Sequence, residues 1–450
     1  MRVRMVHRVM VGLVAAALGG MGAIPQAASQ TAGKTNPNAV LSVEPPATSE
    51  VEQAAKLFRS GDYEGTKKVL LGLAQKHPDM PPPEVVMAGW FLAANQMALA
   101  RAALERAVAS VPNDPEAYQV LGDLAMRNRQ TTEAGVLFEK VYSMTRSLKD
   151  PSPRMLSIRR RALAGLAAVA EERQDWASAQ SHLEALLAEE PKNAGALQQL
   201  GRVLFMQKKE DLALQRLREA TKLDENLLNA EATLAQLCQQ AGDIKSAGKW
   251  MVEAIKASPR DPKVRVAAAQ WSYQIGKLDQ AEEQAKAAVT LDPDSLACQL
   301  IRGTVALVRK DYATAQQFLE KAHLQAPTDF NATNNLALAL AGQEEESKRR
   351  LALEYAQINA RVYPDQSDAL STLGWALYRL GRLDEAEANL RRAVTLLRPS
   401  PDTFYYLARV LFDRGRKEDA KMLLQSPAMK TSAPYLMRKE AEALLEELAR

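Results

Sequence analysis

The sequence predicts an all-α fold, a solenoid of about eleven helix–turn–helix repeats closed by a C-terminal capping helix. Three observations predict it. Alanines recur 34 residues apart at Ala179, Ala213, Ala247, Ala281 and Ala315. Seven residues beyond each lies a second buried-type position (Leu186, Ala220, Ala254, Ala288, Ala322), and twelve before each lies a small residue (Ala167, Gly201, Ala235, Ala269, Gly303). The same units close on Pro191, Pro259, Pro293 and Pro327, with Glu225 as the exception. A fixed period of this length marks a helical repeat array.

The frame extends in both directions. Upstream, Thr66, Ala100 and Ala134 keep the spacing, and 45 residues then separate Ala134 from Ala179, an insertion of 11. Downstream, 37 residues separate Ala315 from Ala352, an insertion of three, before Ala386 and Ala420 resume the period. Repeats one to three therefore take residues 47–149, the insertion 150–159, and repeats four to eleven 160–433. The insertion carries Asp150-Pro151 and Pro153, and either lengthens a helix or kinks the array.

Each element has a physical reason. Two antiparallel helices cannot bury their apolar faces alone, so neighbouring units stack and share one core. Small residues at the crossings let helix axes approach, and Leu183, Leu217, Met251 and Leu319 fill the space beside them. Pro259 and Pro293 end second helices, because proline lacks the backbone donor and disfavours helix in the preceding residue. Asp114-Pro115 and Asp261-Pro262 open first helices, with aspartate as N-cap and proline at the first helical position. Beyond Pro427, residues 434–450 form one more amphipathic helix, with Leu436, Ala441, Leu444, Leu445 and Leu448 on one side and a polar outer face that caps the open core.

The small–small–proline framework, with the Asp-aromatic pairs Asp62-Tyr63, Asp175-Trp176 and Asp311-Tyr312 between paired helices, resembles the tetratricopeptide repeat of exported bacterial multi-repeat proteins. The resemblance implies a right-handed superhelix whose first helices line a concave groove, and a protein that binds other molecules and does no chemistry. Some cytosolic relatives grip a partner's C-terminal carboxylate with lysines and asparagines on three first helices. The matching places here hold Gln198, Arg202, Ala232, Gln236, Val266 and Gln270, so that mode is not expected.

The N-terminus is a separate matter. Arg2, Arg4, His7 and Arg8 precede an apolar run from Val9 to about Ile24, then Pro25-Gln26-Ala27-Ala28-Ser29. This is the layout of a secretory signal peptide over 1–29, followed by a polar, proline-containing linker over 30–46. Export would place the array in a periplasm or outside the cell, with membrane contact expected only if the segment stays uncleaved. A formal charge of +4 on 450 residues supports no argument for nucleic acid. Cys238 and Cys298 lie two repeats apart, too far for a bridge.

Catalytic and metal chemistry is not expected, and neither is a cofactor. Outside the signal the histidines are His77, His182 and His323, each on a different repeat, and no glycine-rich phosphate loop or nucleophile elbow occurs. What remains is a binding surface. Positions one and four or five beyond the small residue of each first helix point inward. They place Arg202 and Phe205, Gln236 and Gln240, Gln270, Tyr273 and Gln274, then Trp375, Tyr378 and Arg409 on the groove. Amides donate and accept at once, which suits an extended peptide, and the C-terminal aromatics and arginine are interface-anchoring types. The expected function is a non-enzymatic scaffold that binds protein or peptide segments and helps assemble an envelope complex. The alternative is a component of polysaccharide synthesis or export, binding glycan or bridging membranes.

Overall fold

The computed structural model of the chain describes residues 49–431 and 434–450. The expected signal over 1–29 and linker over 30–46 lie outside the described residues. Twenty-three α-helices are present among the described residues. They fall into two compact units that meet within one helix, residues up to Ala247 and residues from Gly248.

The first unit holds α1 (Ser49–Arg59) and α2 (Tyr63–Lys76), α3 (Pro83–Ala93) and α4 (Met97–Ser110), and α5 (Pro115–Arg127) and α6 (Thr131–Thr145). It continues through α7 (Pro153–Glu172) and α8 (Trp176–Glu189), α9 (Ala194–Met206) and α10 (Glu210–Leu223), and α11 (Ala230–Gln240). The boundary falls in α12 (Ile244–Ala257). The second unit runs through α13 (Pro262–Gln274) and α14 (Leu278–Leu291), α15 (Leu296–Val308) and α16 (Tyr312–Gln325), and α17 (Phe330–Ala341) and α18 (Glu346–Val362). It ends with α19 (Ser367–Arg379) and α20 (Leu383–Thr395), α21 (Pro401–Asp413) and α22 (Lys417–Leu424), and the single α23 (Arg438–Glu447).

The period reads directly in the packing. Every residue of the alanine series, from Thr66 to Ala420, is fully buried. The small residue of each first helix faces the residue 16 positions on, in its paired helix. A Cβ on Gly201 would sit 2.7 Å from Leu217 Cγ, one on Gly303 2.5 Å from Leu319 Cγ, and one on Gly374 2.5 Å from Leu390 Cγ. Where the slot holds Ala269, the facing residue shrinks to the buried Ala285. In the third repeat the facing residue is Phe138, and its ring lies between Gly122 and Gly165, whose Cβ positions would be 2.5 and 2.6 Å away. Other alanine slots keep a large partner: Ala167 and Ala235 stand 16 positions before Leu183 and Met251, all of them buried.

Turns and caps repeat with the same register. The turn between paired helices places one residue at positive φ: Gly61, Asn95, Arg129, Gln174, Lys208, Gly242, Gly276, Lys310, Gly381 and Gly415. Glycine adopts this backbone without a Cβ penalty; the turn between α17 and α18, where three residues are inserted, has no such residue. Aspartates 62, 175 and 311 cap second helices by accepting from Gly65, Ser178 and Thr314 backbone N–H at 2.8, 3.1 and 3.1 Å. Asp114 and Asp261 cap first helices in the same way, each with proline next.

The two insertions both lengthen helices. Residues 153–159 belong to α7, which has 20 residues where α9 has 13. Its start is pinned by Ser152, which caps Met155 N and bonds Asp79, and by Arg154, only 3 % exposed and paired with Asp114 and Glu116 at 2.7 Å each. The three-residue insertion extends α18 at its N-terminus to 17 residues.

Candidate binding surface

Within the first unit, Arg202 is exposed at the end of α9, and its guanidinium donates to Glu171 at 2.7 Å. Phe205 is half-buried one turn further on. On α11, Gln236 is half-buried and Gln240 exposed, while Cys238 between them is buried, and burial pushes its thiol up to about 11. A neutral thiol packed this way is a small core residue. Gln270 and Gln274 occupy the corresponding places on α13, in the second unit, the first half-buried and the second exposed. Cys298 is likewise buried and in no disulfide.

The second unit draws the remaining expected residues into one cluster. Trp375 is stacked between Tyr406, 4.4 Å between ring centroids, and Tyr378, at 4.9 Å. Tyr378 Oη donates to Asp413 at 2.6 Å, and Arg409 donates to the same Tyr378 oxygen at 3.2 Å. Arg409 also pairs with Asp413 at 2.9 Å. This corrects the expectation for Trp375. At 5 % exposure it fills the space between α19 and α21 and offers no face to a partner. Stacking against Tyr406 recovers more apolar contact than an exposed indole could.

Tyr273, on α13, is half-buried. Burial, with a smaller contribution from the negative charge of Asp402 on α21, drives its hydroxyl well above the usual tyrosine range. Asp402 is the group that sequence reading missed. It stands at the second position of α21, 4 % exposed, while Ser400 serves as the cap. Its two oxygens accept from consecutive backbone N–H groups of the C-terminal segment, Leu436 N at 3.1 Å and Met437 N at 2.7 Å.

The terminal helix is shorter than the expected 434–450, running over Arg438–Glu447 with Leu436 in the turn before it; Leu436, Ala441 and Leu444 are buried, and Leu445 and Leu448 half-buried. It does more than cover the last pair. Glu440 pairs with Lys310, in the turn between α15 and α16, three repeats earlier. Leu436 and Met437 join the same apolar cluster as Leu307, Leu340, Trp375 and Tyr406. The available signals were Asp368 and Asp402, 34 residues apart at one repeat position, and the apolar run Tyr435-Leu436-Met437.

Among the described residues no group of three His, Cys, Asp or Glu is placed to hold a metal ion. No helix among them is long and apolar enough to cross a membrane.

Comparison with known proteins adds the family. A tetratricopeptide repeat protein from Parabacteroides merdae is 15 % identical, covers 65 % of this chain and 99 % of its own, and superposes with a TM-score of 0.39. Yeast Tom70 is 13 % identical over 89 % of this chain and 95 % of its own, with a TM-score of 0.33. PilW, a type IV pilus biogenesis factor, is 19 % identical over 49 % of this chain and 97 % of its own, with a TM-score of 0.38. A sequence search of curated proteins finds no match. Tetratricopeptide repeats are matched at residues 91–147, 165–227, 266–329, 336–403 and 372–421, more than half of the sequence, and the chain belongs to the tetratricopeptide repeat family.

Proposed function

We propose that this protein is a non-enzymatic scaffold that holds partner polypeptide segments on the faces of its first helices, outside the cytoplasm, and so helps assemble an envelope complex. Family membership supports the general reading, since tetratricopeptide repeats typically bind protein segments. One observation carries the specific one: the second unit is already holding a polypeptide. Asp402 grips two consecutive backbone amides, Leu436 and Met437 are buried, and Glu440 is paired with Lys310. Leu436 and Met437 form the turn that leads into α23, and capture of backbone amides with apolar side chains buried beside them is a recurring means of holding a peptide. The export reading rests on the basic start and apolar run of residues 1–29.

For the glycan alternative, in which a sugar would stack on open aromatic faces, Trp375, Tyr405 and Tyr406 offer none, since all three are buried.

The test is photo-crosslinking in the native host from a reactive residue at Gln240, which is exposed on α11, with adducts read by mass spectrometry. A discrete protein adduct that disappears on Arg202→Ala/Gln236→Ala supports the scaffold. An exported, folded chain that yields no protein adduct from Gln240 or from Gln274 refutes it.

A further inference from the structure

The C-terminal segment is an imperfect tenant. Its hold on the array uses groups that any peptide possesses or readily supplies: two backbone N–H groups, two apolar side chains, and one carboxylate a helical turn further on. Asp402 faces the N-terminal end of α23, where unsatisfied amides carry partial positive charge. The fit nevertheless leaves buried polar atoms without hydrogen-bond partners: Tyr406 Oη, beside Asp402, and Glu440 Oε2 on the segment itself. Each such atom costs free energy that a better-matched segment would recover. The array side is also expensive for a mere cap. Asp402 and Asp368 occupy the same position in consecutive repeats, burial disfavours the ionised form of both, and the negative charge of Asp368 further disfavours ionisation of Asp402. Apolar residues there would cap the core at lower cost.

We propose that this face of the second unit is a receptor for a partner protein segment of defined chemistry, and that residues 434–447 occupy it until the partner arrives. The proposal rests on the scaffold reading above. The partner segment has two consecutive non-proline residues with apolar side chains, as at Leu436-Met437, and then enters a helix with an acidic residue three positions on, as at Glu440. Its amides go to Asp402, its acid to Lys310, and a polar group on it meets Tyr406 Oη.

The experiment uses the full chain and a fluorescent peptide of residues 434–447 as probe, read by anisotropy. Leu436→Asp/Met437→Asp in the chain unseats the resident segment and leaves the receptor intact. The probe is expected to bind this variant on the order of tenfold or more tightly than wild type, because the competent state is then no longer a minor fraction. Adding Asp402→Ala is expected to abolish the gain. Equal binding to wild type and variant, or none to a variant with native circular dichroism, overturns the proposal. Should the variant not fold, hydrogen exchange on the wild-type chain decides. The Leu436 and Met437 amides are expected to exchange on the order of a hundredfold faster than those of Ala376 and Leu407 in α19 and α21, through local opening. Exchange as slow as the core makes the segment a fixed cap and overturns the proposal. A wild-type dimer that dissociates on Leu436→Asp/Met437→Asp would place the segment on a second copy, which also overturns it. A protein adduct from Gln240 in any of these cases leaves the scaffold reading standing.

Discussion

Asp402→Asn is expected to stabilise the protein above about pH 5, and increasingly so toward pH 8. Burial, reinforced by the negative charges of Asp368 and Glu440, pushes the Asp402 carboxyl up to about 7, while the N–H bonds from Met437 and Leu436 pull the other way. In the unfolded chain the same group titrates near 3.8. Between those two values the folded state binds the extra proton, so stability falls as pH rises through the window. At roughly 1.4 kcal/mol per pH decade the whole loss is about 4 kcal/mol, of which about 3 kcal/mol falls between pH 5 and pH 8. Asparagine cannot ionise, but it turns an NH2 group toward one of the two backbone donors, which costs about 1–2 kcal/mol at every pH. Near pH 5 the aspartate has already lost about that much, so the two chains are about equally stable there. By pH 8 the variant leads by about 3 kcal/mol. Urea unfolding followed by circular dichroism at pH 5, 6, 7 and 8 measures the difference. A difference that stays constant within about 0.5 kcal/mol would refute the assignment of Asp402 as a buried carboxyl strained by ionisation.

Two further expectations concern the array. Gly201→Ala places a Cβ 2.7 Å from Leu217 Cγ and 3.2 Å from the Ala213 carbonyl oxygen, and is expected to cost about 1–3 kcal/mol. Leu217→Ala alone costs about 2–5 kcal/mol, yet it opens the space that the new Cβ needs, so a double-mutant cycle should show coupling of about 1 kcal/mol or more; additivity would contradict the direct contact between positions 201 and 217. Arg154→Met strips the counter-ion from Asp114 and Glu116 and is expected to cost about 3–5 kcal/mol. Adding Asp114→Asn and Glu116→Gln should restore most of that loss in the same unfolding assay, and no restoration would mean that Arg154 acts through packing alone.

The repeat was legible because it is built from neighbour contacts. A small residue and its partner 16 positions on meet inside one helix pair, and caps and turns act within four residues of one another. The ordered series from Thr66 to Ala420, the aspartate caps and the proline stops therefore state their own geometry in one dimension. The inward register was legible in part. It brought Trp375, Tyr378 and Arg409 to one place, but it could not say that Tyr406 would cover the indole, because that depends on how α19 and α21 pack.

What the sequence by itself determined about this protein is a chain of helix pairs in a fixed register, with a terminal amphipathic helix to follow. Only the tertiary structure decided that the first insertion lengthens α7 and is locked by Arg154, and that the terminal segment returns to a turn three repeats back. The physical reason is distance along the chain. Lys310 and Glu440 are 130 residues apart, and their meeting depends on rotations accumulated from one helix pair to the next. No single repeat encodes that sum. Asp402 reads as one more acidic residue at a helix start until the folded chain brings two amides to it.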